Sequence, residues 1–319
     1  MVSKKVSSRK PKNSNRNASR KKYSNVRCPP GCVKRKKSRK KSRESSRKKR
    51  RKSRKRKAAA KIKNVKSTIA YCFLMYDTVE HPQVWERFFK DSNGTAEIYS
   101  HIKKVIAKTP VWLRKGRART VKTQWCGEGL VFSFCSMLKK ALKKKTNTHF
   151  AILSGSCIPL YDYATTYKKI MSTDRASINF WSDPKQKKYG LKFASQWVIL
   201  NRETAIAMVR LIDKSDTTAQ AFLHRMEDIQ VENTRKNVMM HCPDETYPIN
   251  WLIELYGKNV SKHVLKRNTT YTLWEGDNDS PTKFNGPKAK RYHSEICKSK
   301  SIFARKFNKA AANLIGSGC

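Results

Sequence analysis

The sequence predicts an α/β fold, a mixed and mostly parallel sheet flanked by helices, behind a disordered basic tail. Two observations carry that prediction. Short continuous apolar runs alternate with stretches of helical periodicity, and the first 66 residues show neither pattern. Thr68 to Met75, "TIAYCFLM", is a continuous apolar and β-branched run, as expected of a strand covered on both faces. In "VWERFFK", Val84, Phe88 and Phe89 fall at helical spacing, and Ile98 to Ile102 reads as a second strand. From Gly127 to Lys144, the residues Leu130, Phe134, Leu138, Ala141 and Leu142 share one helical face, with lysines opposite. "HFAILS" at 149–154 is another buried strand. "WVIL" at 197–200 is a further one, ahead of "NRETAIAMVRLIDK", where Ala205, Met208, Val209 and Ile212 mark an amphipathic helix. The chain has no internal repeat, no GxGxxG and no GxxxxGK[ST].

Charge divides the chain in two. Through Lys66 there are 31 Lys and Arg against one acid, Glu44, a net +30 of the total +49, which leaves +19 for the rest. The first part has too few apolar residues to offset its ordering entropy, and its like charges repel. Residues 1–66 are therefore expected to be a Lys/Arg-rich disordered tail, and 67–319 a folded domain; 38% hydrophobic residues suffice for a core. Runs such as "SRKKRRKSRKRK" bind nucleic acid or another polyanion through counterion release, serve as import addresses or membrane-surface anchors, or simply solubilise. Cys28 and Cys32 in "RCPPGC" have no second pair at zinc spacing. With no transmembrane run of 18 apolar residues and no signal-peptide pattern, the chain is expected to be soluble and intracellular. Nine cysteines, an odd number, then favour free thiols over a disulfide framework. Asn93-Gly-Thr, Asn259-Val-Ser and Asn268-Thr-Thr read as chance matches to the glycosylation pattern.

In open α/β sheets, ligands sit beyond the carboxyl ends of the strands. After "HFAIL" come Ser154, Gly155, Ser156, Cys157, Ile158 and Pro159, small residues that allow close backbone approach to a ligand or merely form a tight turn. "HCPDETYPINWL", residues 241 to 252, places Asp244 and Glu245 ahead of a helical pattern from Tyr247 to Tyr256, where Asp244 suits an N-cap or first-turn position. Seven scattered histidines without HExxH disfavour a zinc hydrolase, and neither a GxSxG elbow nor a kinase signature is present.

Seven motifs in order, "IAYCFLMYDTVEHPQVWERFFK", "TQWCGEGLV", "HFAILSGSCIPLYDY", "FASQWVILNRETA", "CPDETYPINWL", "TLWEGDNDSPTKF" and "SIFARKF", make the chain resemble family 14 glycosyltransferases, from about Thr68 to Lys306. That family includes the core-2/I-branching β-1,6-N-acetylglucosaminyltransferases, and the chain is most similar to its plant and large-virus branch. The resemblance implies a GT-A-like (Rossmann-like) domain and inverting transfer of a sugar from a UDP-sugar to a hydroxyl of a glycan or glycoconjugate. The donor sugar is expected to be of the N-acetylglucosamine type, although the family also uses xylose and glucuronic acid.

Such a transfer needs a base at the hydroxyl and positive charge at the departing diphosphate. By resemblance, Glu245 in the PDE motif is the catalytic base and Lys306 in "FARKF" contacts the diphosphate. A family arginine upstream has no clear counterpart, and Arg291 is the position chosen for it. The family resembles a metal-free variant, so no metal and no cofactor is expected; Asp277-Asn278-Asp279 satisfies Asp-x-Asp, but it follows the base and lies in a turn-like setting. Trp274 and Tyr271 fall in a segment that contacts acceptors in the family, with core packing as the alternative, and Asp244, Ser154 and Ser156 are grouped with them at the acceptor side. Ser195-Gln196-Trp197 lies near the active site by the same resemblance, with no role assigned. The missing membrane anchor departs from the family's Golgi layout, and the tail suits a host cytoplasm, a virus factory, a nucleus or a virion. The competing function is a nucleic-acid-binding virion or chromatin-type protein that works through its tail on an inherited transferase fold.

Overall fold

The computed structural model describes residues 46, 47, 50, 66–182, 184–236, 242–276, 280–316, 318 and 319. The expectations for the tail up to residue 65, apart from those three positions, and for Cys28, Cys32 and the Asp277 to Asp279 triplet lie outside the described residues. Val65–Cys319 forms one unit.

The chain runs β1 (Thr68–Met75), α1 (Pro82–Lys90), β2 (Ala96–Ile102), α2 (Val111–Lys115), α3 (Gly129–Ala141), β3 (Asn147–Ser154), β4 (Ile158–Pro159), α4 (Tyr163–Met171) and β5 (Ala176–Ile178). A hairpin of β6 (Phe180–Ser182) and β7 (Lys192–Ala194) leads to β8 (Ile199–Asn201), α5 (Arg202–Val209), α6 (Thr217–Arg235) and α7 (Pro243–Tyr256). Last come α8 (Val260–His263), β9 (Val264–Lys266), β10 (Thr270–Thr272), α9 (Gly286–Lys298), β11 (Phe303–Arg305) and α10 (Lys309–Ile315).

The central sheet has the order β2-β1-β3-β8-β5-β9. β1 lies between two parallel neighbours, with Ile69 opposite Ala96 on one side and His149 on the other. Its side chains alternate between two cores, which is why its sequence is an almost unbroken apolar and β-branched run. Ala70 and Cys72, with Phe150 and Ile152 of β3, face Val131, Phe134 and Leu138 of α3 and the buried side of α7. Tyr71 and Phe73, with Ala151 and Leu153, face Trp85 and Phe88 of α1. There Tyr71 and Phe88 meet edge-on at 5.8 Å between ring centroids, and the Trp85 Nε1–H donates to the Cys157 carbonyl at 2.9 Å. A smaller sheet of order β10-β11-β4 carries a third core around Phe284 and Phe307.

The "WVIL" segment departs from the expected boundaries: the strand is Ile199–Asn201, and it runs antiparallel to β3, with His149 opposite Asn201. A buried strand is apolar in either direction, so its orientation is not written in the pattern. β5 and β9 restore parallel pairing at the far side, and the sheet is mixed and mostly parallel, with helices on both faces.

The expectation of free thiols is corrected by the fold. Cys126 is bonded to Cys242 and Cys297 to Cys319, at sequence separations of 116 and 22, while Cys72, Cys135 and Cys157 are free and buried. Parity and the lack of a leader pattern carry no information about which thiols the fold brings together. Disulfides persist in oxidising surroundings, so the cysteine count no longer supports an intracellular site. Among the described residues, no helix is long and apolar enough to cross a membrane.

Candidate active site

A cleft of about 870 Å³ opens at the carboxyl ends of β1, β3 and β11, where an open α/β sheet places its ligands. Leu74, Met75 and Tyr76 come to it from the end of β1, Ser154 from β3, Asp244 and Glu245 from the first turn of α7, and Arg305 and Lys306 from the end of β11.

α7 is held firmly enough to aim a side chain. Tyr247, Ile249, Trp251 and Leu252 are fully buried, the Tyr247 hydroxyl donates to Glu128 Oε1 at 2.7 Å, and the Trp251 Nε1–H donates to the Ala207 carbonyl at 2.8 Å. Asn250 exchanges two hydrogen bonds with the Lys192 backbone, at 3.0 and 2.8 Å. The helix starts at Pro243, four residues before the periodic segment suggested, because proline at the first position sacrifices only an amide that would have no helical partner. Pro248 lies inside it and removes the amide that would bond the Asp244 carbonyl. Cys242, at the N-cap position, is bonded to Cys126, so the loop before α3 is tied to the start of α7.

Asp244 does not cap the helix: it is a first-turn residue, 8% exposed, and its Oδ1 is buried without a hydrogen-bond partner. Burial, and after it the charge of neighbouring Glu245, pushes its carboxyl up to about 7, against a smaller opposing effect of its own backbone amide. Glu245 lines the cleft beside it, its amide bonded to the Cys242 carbonyl at 2.9 Å.

The opposing charge comes from β11. Arg305 packs its guanidinium 4.7 Å from the centre of the Trp197 ring, has a buried Nε with no partner, and is shifted below the usual arginine range by burial. Lys306 is lowered as well, first by burial and then by Arg305. The backbone around it is fixed, since Phe284 N–H donates to the Lys306 carbonyl at 2.7 Å, the Phe307 ring stacks on Phe284 at 4.9 Å and His81 Nε2 lies 2.9 Å from the Phe307 carbonyl. Three exposed tryptophans rim the cleft: Trp125 at 81%, Trp274 at 54% and Trp181 at 45%. A large ring face kept in water at a cleft is available for an apolar sugar face.

Of the residues singled out in the sequence, the fold brings Asp244, Glu245, Lys306, Trp274 and Ser154 to one cleft, along with Ser195, Gln196 and Trp197. Ser156 stands behind, buried, its Oγ 3.0 Å from that of Ser154. Gly155 serves chain packing: a Cβ there would lie 2.7 Å from the Thr78 carbonyl oxygen, and its own carbonyl accepts from Glu80 N–H at 2.8 Å. Two further positions do not reach the cleft. Tyr271 is buried in the third core, with its hydroxyl donating to Glu295 Oε1 at 2.5 Å, and Arg291 is exposed on α9 with its guanidinium 5.5 Å from the Tyr292 ring. Asp277 and Asp279 lie outside the described residues, between Gly276 and the cleft-lining Ser280 and Pro281. Sequence reasoning missed Arg305, although it sits next to Lys306 in "FARKF"; adjacent strand residues point to opposite faces, but β11 ends at Arg305 and both residues line the cleft. It also missed Trp125 and Trp181, for which exposure is the signal and exposure is not readable from sequence.

Two acids on a helix start and two cations on a strand end line one cleft, which places the chain in the class of α/β proteins with a charged ligand cleft at the strand ends. Comparison with known families narrows that class: residues 69–302 match the Core-2/I-Branching enzyme model, and the chain belongs to that family of glycosyltransferases. A relative, Glycosyltransferase BC10 of Oryza sativa subsp. japonica, is 26% identical over 159 residues, covering 44% of this chain and 40% of the relative. The chain thus spans less than half the length of that curated relative. The family match includes Asp244, Glu245 and the tryptophan rim but ends short of Arg305 and Lys306, whose place in the site rests on the geometry.

Proposed function

We propose that this chain is an inverting glycosyltransferase that works without a metal, moving a sugar of the N-acetylglucosamine type from a UDP-sugar to a hydroxyl of a glycan or glycoconjugate. One observation carries the reading: adjacent acids and adjacent cations open on the same cleft, rimmed by exposed tryptophans. Glu245 takes the proton of the acceptor hydroxyl as its oxygen forms a bond to the anomeric carbon. The bond from that carbon to the diphosphate oxygen breaks, and the electron pair leaves on UDP. Lys306 and Arg305 meet the developing charge. In a partly buried setting, two fixed cations stabilise it strongly, as a divalent ion would in a metal-dependent transferase, and the diphosphate supplies the partner that Arg305 Nε lacks. Asp244, titrating near neutrality, keeps the acid pair from carrying two full charges in a buried turn.

The test is a screen of the full chain against a panel of nucleotide sugars, read by melting temperature and by donor hydrolysis. A selective rise with one UDP-sugar is expected, and it should vanish in Lys306→Ala combined with Arg305→Ala. A panel in which no nucleotide sugar moves the melt rejects the reading.

A further inference from the structure

The structure carries a cationic face that the transfer chemistry does not use. Between residues 103 and 122 there are eight Lys and Arg and no acid, and all eight are exposed. Elsewhere in the domain, several cations have acidic partners: Lys144 pairs with Glu97, Lys188 with Glu232, Arg225 with Glu254, Lys283 with Glu80 and Lys288 with Glu275. Among the described residues, none of the eight forms an ion pair. An ordinary solvated surface intersperses both signs, and a single-sign row held together repels itself unless a counter-charged partner lies on it.

This row is held together. Gly116 to Ala118 runs along the edge of β2, with Ala118 N–H donating to the Ser100 carbonyl at 2.7 Å, and a Cβ on Gly116 would lie 2.0 Å from the Ile98 oxygen, so only glycine permits the approach. The other side is tied to α3, where Ser136 Oγ donates to the Arg119 carbonyl at 2.9 Å and Lys140 Nζ to the Arg117 carbonyl at 2.6 Å. Val121 N–H donates to His101 Nε2 at 2.9 Å. The cations therefore project from a fixed backbone, which lowers the ordering cost of binding.

The row also leads into the cleft. Lys103 lines it, with Nζ 2.7 Å from the Thr123 carbonyl and 5.7 Å from the Tyr76 ring centre, and exposed Trp125 stands where the row meets the rim. We infer that residues 103–122 are the docking surface for an anionic glycan, a chain of sugars bearing carboxylate or sulfate groups, whose acceptor sugar enters the cleft past Trp125. This inference rests on the transferase reading and names the acceptor class for it. One polymer has to satisfy both ends of a continuous surface: sugar hydroxyls and ring faces at Trp125 and Glu245, negative charge along the row.

Lysine acetylation footprinting of the full chain tests it locally, whatever residues 1–65 do. The probes are a sulfated heparin hexasaccharide, a neutral hexasaccharide and a single-stranded oligonucleotide of matched charge. The sulfated sugar should slow acetylation of Lys104, Lys108, Lys115 and Lys122 several-fold and leave Lys258, Lys262 and Lys298 unchanged, and the neutral sugar should protect none of them. Replacing Lys104, Lys108 and Lys115 with Gln should return acetylation of Lys122 to near its unliganded rate and leave the nucleotide-sugar melting shift intact, since none of the three lines the cleft. Uniform protection of all surface lysines, or none in the row, overturns the inference, as does protection by the oligonucleotide without protection by the sulfated sugar. Row protection in a protein whose melt no nucleotide sugar moves would keep the surface and reject the transferase.

Discussion

Asp244→Asn should change how stability depends on pH. The unfolded aspartate loses its proton near its ordinary 3.8, whereas the folded one holds it to about 7, because the carboxyl is buried and Glu245 stands beside it. Below about pH 4 both states are protonated, and wild type and mutant differ by a constant. From there to about pH 7 the unfolded wild-type chain gains from ionising and the folded one does not, so wild-type stability falls through that window and levels off above it. At 1.36 kcal/mol per pH unit over a window of about three units, the loss approaches about 4 kcal/mol, less whatever water penetration recovers. Asparagine has no such proton to lose. Its constant offset, from the altered hydrogen bonding of a buried first-turn side chain, is the same at every pH. Urea midpoints for both proteins at close steps across this window give the difference directly, and titrations shared by both cancel in it. The mutant should gain on wild type from pH 4 to 7 and hold the gain above. Parallel curves would mean that Asp244 is ionised in the fold, and the assignment of a neutral partner beside Glu245 would fail.

Glu245→Gln keeps size but cannot accept a proton, so transfer should fall by roughly 10² to 10⁴ with donor affinity retained; full activity would show that the base lies elsewhere. Chelation by EDTA should leave turnover unchanged if, as proposed, Lys306 and Arg305 meet the diphosphate; loss restored by Mn²⁺ would bring Asp277 and Asp279 back as ligands. Replacing Cys126 and Cys242 together with Ser opens a long loop and should cost about 2 to 5 kcal/mol in denaturant unfolding, and an unchanged midpoint would show that the pair is not bonded in solution.

The sequence made some of this legible. β1 and β3 were readable because burial on both faces leaves a continuous apolar run in the middle of each, and α3 because its apolar face repeats at helical spacing. The acid pair was readable because proline and two acids ahead of an apolar run mark a helix start. Direction was not readable for β8, whose neighbours are set by pairing alone, and neither was the bonding of Cys126 to a partner 116 residues away. Asp244 takes the first-turn position that its spacing suggested, but that the packing of α7 also buries its carboxyl was not readable from local spacing. Arg291 was chosen by offset along the chain, whereas Arg305 reaches the cleft through the end of a three-residue strand that local patterns do not define.

Among the described residues, two ionisable side chains hold buried atoms without hydrogen-bond partners, Asp244 Oδ1 and Arg305 Nε, and both residues line the cleft. The other such atoms belong to neutral groups, the hydroxyls of Tyr71, Thr166, Thr270 and Ser301 and a ring nitrogen of His101. A buried polar atom left unpaired costs about 1 to 3 kcal/mol, more when charged, so a fold selected for stability alone would pair or replace these two first. Their cost is recovered only if a ligand brings complementary groups, and the two atoms ask for different ones: the guanidinium for oxyanions, the carboxyl for a hydroxyl. A nucleotide sugar and a sugar acceptor together supply both. The destabilising features of the empty cleft and the favourable contacts of the loaded one are then the same atoms seen in two states, which is the condition for binding energy to be directed at the reacting centre.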